Sequence, residues 1–100
     1  MKHLKLSPYP VVLHVRFSEK NLKETDVAAT FDTEKGHVLV VFRPKSLQED
    51  YLSTIVHESV HVVQAVSNYI TTPLDMESQA YLTEEVFSWL RQNCEKYLVK

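Results

Sequence analysis

Thr54-Ile55-Val56-His57-Glu58-Ser59-Val60-His61-Val62-Val63-Gln64 is the stretch around which the rest of this chain is read. It contains H-E-x-x-H. On an α-helix, residues four apart stack on one face, so His57 and His61 stand one turn from each other. Two imidazoles so placed suit a single Zn²⁺. Glu58 sits beside that position, where a general base for a zinc-bound water belongs. Thr54, His57, His61, Gln64 and Asn68 continue the spacing as one polar stripe. Ile55, Val62, Val66 and Tyr69 flank it on one side, and Leu52, Val56, Val60 and Val63 on the other. A polar stripe between apolar ones is expected to be partly buried, where each unpartnered polar group costs about 1–3 kcal/mol. A metal would satisfy both histidines at once; bonds to backbone or water are the alternative.

Working outward from this helix, Ser46-Leu47-Gln48-Glu49 has the capping-box pattern S-x-x-E and marks its start. The helix is rich in valine, whose helix propensity is modest, so tertiary burial must hold it. It is expected to end near Asn68, because Thr71-Thr72-Pro73 breaks the pattern. Thr72-Pro73-Leu74-Asp75 then opens a second helix, with Thr72 as cap, proline at the first position and an acid in the first turn. That helix runs to about Tyr97, with Leu82, Val86, Trp89 and Leu90 as its apolar face.

The residues before the motif are strand-like. Residues 11–17 alternate, with Val11, Leu13, Val15 and Phe17 facing one way and Val12, His14 and Arg16 the other. Residues 18–25 are polar and suit a loop or a short helical turn. Residues 26–32 alternate again, and Thr33-Glu34-Lys35-Gly36 is a hairpin turn in which the only glycine supplies a positive φ. Residues 37–43 are apolar on both faces, so this strand is expected to be the most covered of the three. Residues 1–9 are an irregular lead-in, since Pro8 and Pro10 disfavour helix. The expected architecture is α+β in one domain over residues 1–100: a small three-stranded, mainly antiparallel sheet at about 10–43, the H-E-x-x-H helix at about 47–68 and a second helix at about 74–97.

Composition narrows the function classes. Hydrophobic residues make up 44% and charged residues 24%, which is ordinary for a globular domain. A net charge of −2 gives no electrostatic reason to expect nucleic acid or an anionic membrane. The single cysteine, Cys94, excludes an internal disulfide and leaves no cysteine cluster for a structural zinc site. His14 and Arg16 interrupt the early apolar stretch, so no signal peptide is visible and a cytoplasmic location is expected.

Catalytic zinc sites have three protein ligands and a water. The second helix offers Asp75, Glu77, Glu84 and Glu85 as the third. In a tight helical hairpin, Glu84 would lie more nearly level with His61 than Glu77 would. The sequence H-E-x-x-H-x-x-Q at residues 57–64, followed by Glu77-Ser78-Gln79-Ala80-Tyr81, resembles the gluzincin zinc metallopeptidases, and more narrowly small phage-encoded metallopeptidases with E-x-x-A-Y downstream. The resemblance covers roughly residues 54–85 and lacks the additional substrate-binding subdomain of those enzymes. It implies one Zn²⁺ held by His57, His61 and Glu77, with Glu84 as the second choice, and Glu58 as general base. Tyr81 would donate to the oxyanion. It further implies a peptide or protein substrate and, for a phage-encoded protein, the host cytoplasm; such a peptide could add alongside an exposed edge strand, and the sequence does not say which edge is free. A zinc-binding module without catalysis and a metal-free α+β interaction domain are the competing expectations.

Overall fold

In a computed structural model the described residues are 2–19, 27–33, 35–44, 51–70 and 73–97. The elements are β1 (Lys2–Lys5), β2 (Val12–Phe17), β3 (Ala28–Asp32), β4 (His37–Phe42), α1 (Tyr51–Ile70) and α2 (Met76–Cys94), closed by a 3-10 turn at Glu95–Tyr97. The capping box at residues 46–49, the loop expected at 20–25 and Thr72 lie outside the described residues.

The strands form one four-stranded sheet in the order β1-β2-β4-β3. The expected three-stranded, mainly antiparallel sheet is thus corrected in two ways. First, Lys2–Lys5 is a strand rather than a lead-in, paired antiparallel to β2 with His3 opposite His14 and Lys5 opposite Val12. Pro8 and Pro10 fall in the turn after it, where a missing N–H costs the ladder nothing. Second, β2 and β4 run parallel, with Leu13 beside Val38 and Val15 beside Val40. The sheet is therefore mixed. Local alternation identifies a strand but carries no information about the direction of its neighbour.

One face of the sheet is apolar and lies under the helices. Leu13, Val15, Val38, Val40 and Phe42 are buried there with Ile55, Val62 and Val66 of α1 and Leu82, Val86 and Leu90 of α2. β4, in the middle, is the most buried strand. The opposite face carries His3, Lys5, His14, Arg16 and His37. The β3–β4 turn passes through Lys35 at φ 51° and Gly36 at φ +80°. A Cβ on Gly36 would come within 2.6 Å of the Pro10 carbonyl oxygen, so the glycine answers both a torsion and a close approach. α2 is capped by Asp75, whose carboxylate accepts from the Ser78 N–H at 2.7 Å. That bond, first among its causes, holds the Asp75 carboxyl below its ordinary range. The cap thus falls three residues after Thr72. Trp89 packs against the core as expected.

Candidate functional site

The polar stripe of α1 sits differently from its sequence expectation. His57, His61, Gln64 and Asn68 are exposed, while Glu58 is only 4% exposed. The neighbours of Glu58 on the helix surface explain this. One turn away in either direction stand Ile55 and Val62, both fully buried, so Glu58 is on the core-facing arc and the histidines on its rim. This signal was present in the spacing, since Glu58 is flanked by the most apolar stripe.

The rim of α1 and the edge of β3 enclose a groove of about 390 Å³. Ala28, Thr30 and Asp32 line it from the strand, and His57, Glu58 and His61 from the helix. Thr30 Oγ1 donates to Glu58 Oε1 at 2.7 Å and ties the strand to the helix. The ion pairs among the described residues are Arg43–Glu19 and Arg91–Glu95, and Glu58 joins neither. The Thr30 hydroxyl is its side-chain hydrogen-bond partner among the described residues.

The two histidines satisfy each other. His61 Nδ1 lies 3.0 Å from Gln64 Oε1, and in the tautomer with its proton on Nδ1 it donates to that oxygen. In that tautomer His61 Nε2 is an acceptor, and it lies 3.1 Å from His57 Nε2. His57, His61 and Gln64 thus form one run of hydrogen-bonding contacts on the exposed rim of α1.

Tyr81 and Glu77 are placed elsewhere. Tyr81 lines a separate pocket with Ser7, Pro8 and Tyr9, at the β1–β2 connection. Strand order puts that connection on the far side of the sheet from β3. Glu77 stands in the first turn of α2, whereas His61 is nine residues, about 13 Å, back from the end of α1. Neither Glu77 nor Glu84 lines the groove. Among the described residues, no group of three or more His, Cys, Asp or Glu side chains is placed to hold a metal ion.

No family model matches the chain, nor does any curated protein or solved structure. With no ligating triad, this corrects the resemblance to gluzincin and phage-encoded metallopeptidases, together with the zincin-like fold. The Zn²⁺ expected at His57, His61 and Glu77 is corrected, because no third ligand is placed with them among the described residues, and with it the zinc-activated water, the hydrolase activity and the non-catalytic zinc module. The H-E-x-x-H spacing is present, but the described residues do not supply the coordination sphere that would give it that chemistry. Sequence reasoning did not single out Ala28, Thr30 and Asp32, which line the groove because β3 ends the sheet order.

No described helix is long and apolar enough to cross a membrane.

Proposed function

We propose that this chain is a metal-free protein-interaction module that takes an extended peptide segment of a partner against β3, in the groove beside α1. The observation that carries this reading is the orientation of the β3 backbone. Arg43 N–H donates to the Val27 carbonyl and Thr33 N–H to the His37 carbonyl, so the odd-numbered residues of this segment bond to β4. By the alternation of an antiparallel pair, the N–H and C=O groups of Ala28, Thr30 and Asp32 point away from β4, toward the groove. An unpaired strand edge is a template for one more strand, and side-chain pockets beside it supply selectivity.

Further features fit a macromolecular partner. His57, Gln64 and Asn68 offer side-chain donors and acceptors along the groove. Leu52, Val56 and Val60 form a ridge on α1, each 44–46% exposed, where a partner chain would gain apolar contact. In this reading His57, Glu58 and His61 are recognition groups, and the protein works in the cytoplasm, where its one buried thiol, Cys94, stays reduced.

The test is a peptide selected from a random library on the folded chain, followed by Ala28→Pro. Proline is tolerated on an edge strand where the N–H faces outward. The variant is expected to keep its melting transition and to lose the selected peptide. Unchanged affinity in the folded variant refutes the reading.

A further inference from the structure

The face of the sheet turned away from the helices carries a row of imidazoles. His3 on β1 stands opposite His14 on β2, and His37, beside Val12, is the diagonal neighbour of His14 on β4. The His3 and His14 ring centroids are 6.0 Å apart, and those of His14 and His37 5.1 Å. His14 Nε2 lies 2.9 Å from His37 Nδ1. The register puts Lys5 beside Val12 and Arg16 beside Val41 on this same face. Neither cation joins an ion pair among the described residues. β4 adds Leu39 and Val41 to the face and β3 adds Ala29 and Phe31, so none of its described strand residues is acidic.

A polar sheet face often does no more than meet water, and such faces usually intersperse charges of both signs. Here a chain of net charge −2 gathers two fixed cations and three protonatable rings with no acid among them. The three rings are not placed to share a metal ion. Gathered charge of one sign favours a ligand of the other. Lys5 and Arg16 are offset by four residues of β2, about 13 Å, and β1 and β4 flank β2 at about 5 Å on each side. A single oxyanion cannot reach across that span, whereas an extended acidic segment places successive carboxylates along it. Nucleic acid fits less well, because stacked bases need a series of aromatic platforms and Phe31 is the one phenyl ring on this face. We propose that this face docks an acidic segment of a partner protein, its carboxylates spread over Lys5, Arg16 and the three imidazoles. The surface is the reverse of the sheet from the groove beside α1.

The histidines make the docking sensitive to pH. While His14 and His37 are both neutral, one ring nitrogen donates to the other. With both protonated, both nitrogens carry hydrogen and need an outside acceptor. Burial, then His37 and then His3, hold His14 below 6.5 in the free chain, and a bound carboxylate opposes that. Binding therefore takes up protons, and affinity rises as pH falls through the histidine range. Lys5 and Arg16 are the other charged groups on the face, with Lys35 in the turn ahead of His37, and the described residues of β3 on this face add none. Lysine and arginine stay charged across that range, so the imidazoles set the response.

The experiment is an NMR titration of the full chain with a capped hexa-aspartate peptide, and with hexa-asparagine in parallel, at pH about 5.5 and about 7.5, either side of the histidine range. Hexa-aspartate is expected to shift the amides of His3, Lys5, His14, Arg16 and His37, and hexa-asparagine is not. Each exposed charge pair is worth a few-fold at most, so three imidazoles together should tighten binding about tenfold at the lower pH. Arg16→Ala, at an exposed position, should weaken it about threefold at both pH values. His3→Gln combined with His37→Gln, also at exposed positions, should cut the gain at low pH to about threefold or less. Lys96→Ala, exposed beyond α2, should change nothing. Affinity equal at the two pH values, hexa-asparagine binding as tightly, or shifts centred on residues 28–32 would each overturn the proposal. So would tighter binding of an oligothymidylate of equal charge, which assigns the face to nucleic acid, or dimer formation in place of peptide binding, which assigns it to a second copy.

Discussion

Replacing Thr30 by valine removes one hydroxyl and nothing else of size. The hydroxyl donates at 2.7 Å to a carboxylate that is 4% exposed. A hydrogen bond to a charged group contributes about 1.5–3 kcal/mol, and an acceptor stranded in the interior costs at least as much. Valine favours strands as threonine does, so backbone propensity does not mask the loss. Thr30→Val is therefore expected to cost about 2 kcal/mol, or roughly 8–16 °C in Tm for a domain of this size. Glu58→Gln keeps an amide oxygen for Thr30 and removes a buried charge, so its loss should be smaller. In a Glu58→Leu background, Thr30→Val should cost little, giving a coupling energy of about 1–2 kcal/mol. Chemical denaturation of the four proteins measures the cycle. A Thr30→Val variant within about 0.5 kcal/mol of wild type, the range of an ordinary surface change, would refute the reasoning.

Three further outcomes follow from the structure. Burial, then His37 and then His3, hold the His14 imidazole below its ordinary 6.5. The unfolded chain therefore takes up this proton first, and stability should decline as pH falls below 6.5. Urea midpoints measured across that range should show a smaller decline in His14→Gln. Burial pushes the Cys94 thiol up to about 12, so a thiol reagent at neutral pH should label the chain only as fast as it unfolds, and labelling within the mixing time would contradict the packing. A chelator should leave Tm unchanged and the purified chain should carry no stoichiometric zinc; a chelator-sensitive Tm would restore the metal reading.

Much of the fold is visible in local pattern. The alternation of Val11, Leu13, Val15 and Phe17, the double-sided apolarity of residues 37–43 and the placement of Gly36 each arise from short-range sterics and burial, and each appears in the structure near its expected residues. β1 was hidden because Lys2–Lys5 is short and exposed on most of its residues, so it shows no clear apolar period. The parallel β2–β4 pair was hidden because its register is set by long-range packing. At the site, the histidine spacing was visible, but its consequence was misjudged. The expected metal needed a carboxylate as its third ligand, and neither Glu77 nor Glu84 lines the groove beside the two histidines. Meanwhile Glu58, the residue assigned to chemistry, is the one the neighbouring apolar side chains draw inward.

The most direct measurement is amide hydrogen exchange of the chain with and without a selected peptide. Strand addition predicts slowed exchange at Ala28, Thr30 and Asp32, with Ala29 and Phe31 unchanged because they already bond to β4. Protection at Ala29 and Phe31 instead, or protection confined to α1 with β3 unaffected, would contradict it.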